Sequence, residues 1–234
     1  MVEIFGLQLD YMTLTLLVFV VFGLSIFASS RVRSVFSRYN QTPSQRGQAA
    51  HGVARELLYN AGSGVQIERV QGSLTDHYNS KTQTVGLSTE VYDSTSVAAL
   101  AIAAHEIGHV MQYEEDYVPI KVRNAILPVA RLGSQAGPIL CIVGLLLSSY
   151  PLAIAGVALY AAMLLFQLFT LPVEFNASRR AIALLTDGGY ITDSEAPAAK
   201  KVLRAAAMTY VLAALASLIS LLRLLAIVSG TRRK

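Results

Sequence analysis

Four apolar stretches set the terms on which this chain can fold. Residues 11–29, 133–150, 151–171 and 205–229 each approach or reach the roughly 20 residues that a helix needs to cross a bilayer core. Composition agrees: 53% of the 234 residues are hydrophobic and 15% are charged, where an ordinary soluble domain carries about a quarter charged. The chain reads as a mostly α membrane protein with four transmembrane helices and a modest polar part. The first stretch ends in the small residues "ASS", as a signal peptide would, yet its leading end holds Glu3 and Asp10 and no Lys or Arg. It is read as a retained anchor. The second stretch is the weakest, with Ser134, Gln135, Gly137 and Pro138 at its start, and is expected to enter from a partly buried, interfacial position.

A net charge of +4 does not make this a nucleic-acid binder, because no basic run with interleaved aromatics is present. The positive charges act instead as an orientation signal. Ten of them (Arg31, Arg33, Arg38, Arg46, Arg55, Arg69, Lys81, Lys121, Arg123 and Arg131) lie between the first and second stretches. Five more (Arg179, Arg180, Lys200, Lys201 and Arg204) lie between the third and fourth. If every stretch crosses, these share one side, and the other receives only Arg232, Arg233 and Lys234. The large polar segments are therefore expected in the cytoplasm, with the N-terminus and the "SSYP" turn outside. Arg223 and the "RRK" tail disagree with a clean crossing of the last stretch, which leaves a shallow or oblique placement open. The single cysteine, Cys141, excludes an internal disulfide and a cysteine-based metal site.

In the polar part, Thr42 as N-cap, Pro43 at the first position and Gly62 past the end bracket a predicted helix. Ala50, Val53, Ala54, Leu57, Leu58 and Ala61 supply its apolar stripe, and His51 falls outside it as a surface histidine. Residues 65–90 then alternate, with "VQIERV" followed by runs at 73–78 and 82–88 around "NSK", which predicts a short antiparallel sheet. Its middle strand carries Asp76, His77 and Tyr78. On the residues alone, that cluster is an exposed edge that discourages pairing with other chains. A buried helix follows, capped by Ser94 or Ser96 and running through "AAHEIGHVMQ" to "YEED", and Pro119 and Pro128 mark breaks beyond it.

His105 and His109 are four residues apart, so on a helix both rings leave one face and can converge on a single ion. Neutral imidazole suits Zn2+. Glu106 occupies the position from which a carboxylate reaches an attacking water rather than the metal, the arrangement of a metallopeptidase base. At this chain's own His and Glu frequencies, H-E-x-x-H is expected by chance roughly three times in a thousand. The competing reading is a helix whose histidines are core residues satisfied by carboxylates. Catalytic zinc ordinarily takes three protein ligands. Glu174, in "LPVEFNASRR" directly after the third stretch, is the expected third, because the hairpin of stretches two and three leaves and re-enters on one side. Pro172 is expected to open a new helix there.

The blocks "LTDHYNSKTQTVGLSTEVYDSTSVAALAIAAHEIGHVMQ" and "LPVEFNASRRA" resemble the YugP-type family of neutral zinc metallopeptidases of bacterial membranes. The likeness covers most of the chain from about residue 31 to the last stretch. More distantly, a zinc helix, a transmembrane hairpin and then a glutamate is similar to the HtpX and CAAX prenyl protease group of gluzincins. That resemblance implies Glu174 as third ligand, one Zn2+ per chain, and a site facing the cytoplasm of a bacterial cell membrane. The family block also implies that Asp76, His77 and Tyr78 line the cleft, with His77 or Tyr78 donating to the oxyanion. The distant group places an aspartate four residues after its glutamate ligand to orient the first histidine. This chain has Ser178 there, with Asn176 nearer, so Asp76 or Asn176 is the expected substitute.

The expected organisation is an anchor (1–30), a cytoplasmic zincin-like α+β part (31–132), a transmembrane hairpin (133–171), a cytoplasmic helical segment with the third ligand (172–204) and a last membrane helix with its basic tail (205–234). The expected activity is zinc-dependent cleavage of peptide bonds in protein substrates beside the lipid bilayer, in membrane-protein quality control by analogy with the distant group. Two rivals stand beside it: a zinc amidohydrolase of small or lipid-linked substrates, and a non-catalytic membrane adaptor.

Overall fold

The structure, a computed structural model, describes residues 2–4 and 7–231, so the tail residues Arg232, Arg233 and Lys234 lie outside the described residues. A hairpin of β1 (Val2–Ile4) and β2 (Leu7–Leu9) leads into α1 (Tyr11–Asn40). The polar elements follow: α2 (Ala50–Asn60), β3 (Gln66–Val70), β4 (His77–Asn79), β5 (Thr84–Ser88), α3 (Thr89–Tyr92) and α4 (Val97–Glu114). Three long helices complete the chain: α5 (Val118–Leu146), α6 (Tyr150–Asp187) and α7 (Ala196–Thr231). Among the described residues, α1, α5, α6 and α7 are the four helices long and apolar enough to cross a membrane, and α5 is the least apolar of them.

The chain divides into two compact units. One comprises Met1–Phe27, Val118–Leu171 and Thr209–Lys234. Its helices turn large side chains outward, Phe19 at 67% and Phe22 at 64% exposure among them, a surface that suits lipid and not water. Inside it, the α5–α6 hairpin closes through small residues: a Cβ on Gly133 would meet the Leu159 carbonyl oxygen at 2.1 Å, and one on Gly137 the Gly156 carbonyl oxygen at 2.9 Å. The residues that weaken this stretch as an apolar run are the ones that let two backbones touch. A helix break does fall before Pro119, between Glu114 and Val118, and Pro119 sits in the first turn of α5; Pro128 marks none and, with Pro138, lies within α5. A proline removes one backbone hydrogen bond, a loss that packing against neighbouring membrane helices tolerates. Pro172 likewise opens no new helix: α6 runs through it unbroken, so Glu174 lies on the helix that contains the third apolar stretch.

The second unit, Ala28–Tyr117 with Pro172–Met208, holds the larger core. Val97, Leu100, Ala104 and Ile107 of α4 pack there with Val53 and Leu58 of α2, Val85 and Leu87 of β5, and Ala181 and Leu185 of α6. Ser96 caps α4, its hydroxyl accepting from the Ala99 N–H at 3.0 Å. Helix α2 starts seven residues later than Pro43 predicts. The Ser44 N–H donates to the Thr95 carbonyl, Pro43 bridges Ser96, and the Ala50 N–H donates to the Ser94 carbonyl at 2.9 Å. Residues 42–49 are thus engaged by the segment before α4, which satisfies the helix start without a side-chain cap.

The sheet is mixed, not wholly antiparallel. Its order is β3-β5-β4, with β5 antiparallel to β4 and parallel to β3, so the second strand in chain order sits at an edge. Alternation reports which face a residue takes but not which neighbour its strand pairs with. Left-handed Leu74 (φ 54°) and Gln83 (φ 53°) shorten the two predicted runs to 77–79 and 84–88.

Gly108 of α4 faces α6 so closely that a Cβ would lie 2.7 Å from the Ala177 carbonyl oxygen, whereas a Cβ on Gly52 of α2 meets nothing within 4 Å. Gly108→Ala is therefore expected to destabilise by about 1–3 kcal/mol. Gly52→Ala should stabilise by up to about 1 kcal/mol. Thermal unfolding of the purified protein in detergent reads both as opposite shifts in Tm; shifts of the same sign contradict the packing described.

Candidate active site

Helix α4 supplies two imidazoles from one face, and the Gly108 contact brings α6 against it. The result is a compact group: His105 Nε2 lies 3.4 Å and His109 Nε2 3.7 Å from Glu174 Oε2. The rings are 4.7 Å apart and nearly perpendicular, and one ligand atom from each of the three residues falls within 4.8 Å of the others. Glu174 is buried, at 4% exposure. Its Oε2 has no hydrogen-bond partner.

The surrounding hydrogen bonds fix which nitrogen of each ring faces inward. Gln112 Nε2 donates to the Val173 carbonyl at 2.8 Å and to Asn176 Oδ1 at 3.0 Å. Gln112 Oε1 is therefore the atom 3.0 Å from His109 Nδ1, and Nδ1 must be the protonated nitrogen that donates to it. Arg180 anchors the far end, donating from Nε to Asn176 Oδ1 at 2.8 Å and pairing with both oxygens of Glu115 at 2.7 Å. On the other ring, Ser178 Oγ lies 3.3 Å from His105 Nδ1 and can accept its proton. With Nδ1 protonated on both rings, both Nε2 atoms present lone pairs towards Glu174 Oε2. Three acceptors facing one another without a donor need a cation or a proton between them. Two imidazoles and a carboxylate are a donor set that fits zinc. Burial disfavours the charged form of His109, but the facing Glu174 and nearby Glu106, with Gln112, outweigh it and raise the imidazole pKa. The negative surroundings that hold a proton there would equally hold a metal.

The other sequence candidates fall elsewhere. Glu106 is buried on α4 beside the first ligand candidate, at 8% exposure. Asp76 does not reach His105: its carboxylate accepts from the Ser88 N–H at 2.7 Å and the Ser88 hydroxyl at 2.9 Å, closing the β5–α3 junction. Burial pushes the Asp76 carboxyl up, the Ser88 bonds oppose this, and Glu106 adds to the upward push. Asn176 also does not reach His105 but holds Gln112. His77 is exposed, donating from Nδ1 to the Thr75 carbonyl at 2.9 Å with its ring against Gly86. Tyr78 packs edge-on against Tyr113, ring centres 5.5 Å apart. Among the described residues, no hydrogen bond or ring contact joins His77 or Tyr78 to the three-residue group. His51 is half-buried and stacked on Tyr92 at 4.5 Å, its Nδ1 donating to the Tyr92 carbonyl at 2.8 Å. Sequence reasoning missed Gln112. Its position three residues after His109 on a helix was the available signal.

The family model described as "Putative neutral zinc metallopeptidase" matches residues 14–229. The chain belongs to that family. It is also 43% identical over 202 residues, covering 86% of this chain and 90% of the relative, to the "Putative membrane protease YugP" of Bacillus subtilis (strain 168). No solved structure matches. The family implies zinc, and among the described residues His105, His109 and Glu174 form a group that could hold a metal ion.

Removing the acceptor behind a metal-binding imidazole commonly lowers affinity about 10–100-fold. Gln112→Leu and Ser178→Ala are each expected to weaken zinc binding by that factor, read by competition with a chromophoric chelator. Unchanged affinity in Gln112→Leu contradicts the assignment of the His109 tautomer.

Proposed function

We propose that the chain is a membrane-embedded, gluzincin-type zinc endopeptidase that cuts peptide bonds at the cytoplasmic membrane surface. The observation that carries this reading is the convergence of three acceptor atoms from His105, His109 and Glu174, with the carboxyl of Glu106 on the same helix. His105, His109 and Glu174 would hold the metal. When bound, zinc lowers the pKa of a water and polarises a carbonyl oxygen. Glu106 takes a proton from the attacking water as its oxygen bonds to the carbonyl carbon, and delivers the proton to the amine as the C–N bond breaks. Gln112 accepts from the outer Nδ1–H of His109, Ser178 lies at hydrogen-bond distance from the outer Nδ1 of His105, and the two contacts hold both Nε2 atoms inward.

An extended substrate suits β4, an edge strand paired on one side to β5 and in contact with α4. Strand addition there gives backbone hydrogen bonds with little sequence demand. His77 and Tyr78 lie on that strand, within the reach of a bound peptide as cleft residues or oxyanion donors. The excess of Lys and Arg in the two large polar segments supports the cytoplasmic orientation. Membrane-protein quality control follows by analogy with the distant HtpX group.

Purified protein in detergent, tested on denatured casein, discriminates the readings. Glu106→Gln should keep its zinc and lose cleavage by about 10²–10⁴-fold, while Glu174→Ala should lose zinc. Turnover of amide lipids without proteolysis would make the chain an amidohydrolase. Zinc bound with no turnover in wild type would make it an adaptor.

A further inference from the structure

Away from the three-residue group, α1 and α7 flank an open cavity of about 600 Å³ lined by the exposed Arg31, Arg38, Lys201 and Arg204, with Tyr39 and the apolar walls Ala28, Val35, Ala205 and Met208. Four cations share one cavity without a carboxylate on its lining. Among the described residues, none of the four forms an ion pair; Lys201 Nζ donates to the Tyr39 hydroxyl at 3.4 Å, and the Arg38 guanidinium lies over the Tyr39 ring. Like charges lining one cavity repel one another, which makes the cavity receptive to an anion. Its volume is that of a small-ligand site.

We propose that this cavity binds the headgroup of an anionic phospholipid. The choice of a lipid over a soluble anion rests on where the cations stand along their helices. Arg31 follows the apolar stretch 11–29 of α1, and Arg204 precedes the stretch 205–229 of α7. Both helices therefore pass from lipid-compatible surface to guanidinium within a turn at this cavity, with Ala28, Ala205 and Met208 on its wall for the acyl chains and glycerol. Guanidinium forks suit the phosphodiester oxygens. Basic pockets between membrane helices on the cytoplasmic side are the ordinary form of such sites. The inference is independent of the peptidase reading.

Native mass spectrometry of the full chain in detergent, offered equal phosphatidylglycerol and phosphatidylcholine of the same acyl chains, tests it. Wild type is expected to retain phosphatidylglycerol about tenfold over phosphatidylcholine. Arg38→Gln/Lys201→Gln/Arg204→Gln should fall to near parity with its zinc content unchanged. Arg33→Gln/Arg179→Gln/Lys200→Gln removes the same charge from outside the cavity and should keep the preference. Parity in wild type overturns the proposal, and needs no variant to be seen. Equal loss in both triple variants also overturns it, in favour of diffuse surface charge. Complete release of the lipid by millimolar inorganic phosphate, or by an oligoglutamate peptide, would reassign the cavity to a free anion or an acidic segment; retention under both supports a lipid.

Discussion

A buried carboxylate, Glu174, faces the imidazoles of His105 and His109 where α6 packs against α4. With both imidazoles neutral this arrangement is unfavourable: Glu174 Oε2 is buried without a hydrogen-bond partner and meets two further acceptors. Burial of such a group is tolerated when a cation completes it. Four residues, Glu115, Arg180, Asn176 and Gln112, form a hydrogen-bond chain that ends on His109 and turns one ring nitrogen inward. A histidine kept only for packing needs no such support.

The same arrangement explains features of the backbone that look costly in isolation. Gly108 weakens the interior of α4, yet no side chain fits between it and Ala177. Its absence of a Cβ lets α6 approach far enough for Glu174 to face both rings. The continuity of α6 matters for the same reason. One rigid helix carries Glu174, Asn176, Ser178 and Arg180, so their spacing is set by helical geometry and not by a loop.

Much of this was legible in the sequence, and the parts that were not share a cause. The candidacy of Glu174 came from the hairpin topology and the family resemblance, whereas the apolar stretches and the paired histidines are written in composition and helical spacing. The sheet order was not, because alternation along 82–88 is the same whether β5 pairs with β3 in parallel or not. Nor was the late start of α2: Thr42 and Pro43 are good helix openers, but the segment before α4 engages them first. Asp76 looked like an orienter because it is an acid in a family-like block, while its carboxylate is consumed by Ser88. Gln112 carries no charge and belongs to no short motif, so only its helical offset from His109 marked it.

The central claim is that one zinc ion sits among His105, His109 and Glu174. X-ray absorption at the zinc edge of the purified, zinc-loaded protein tests it most directly. Nitrogen and oxygen scatterers are expected at about 2.0–2.2 Å, with outer-shell scattering from two imidazoles and no sulfur. A sulfur scatterer at about 2.3 Å, or a zinc shell unchanged in Glu174→Ala, would contradict it.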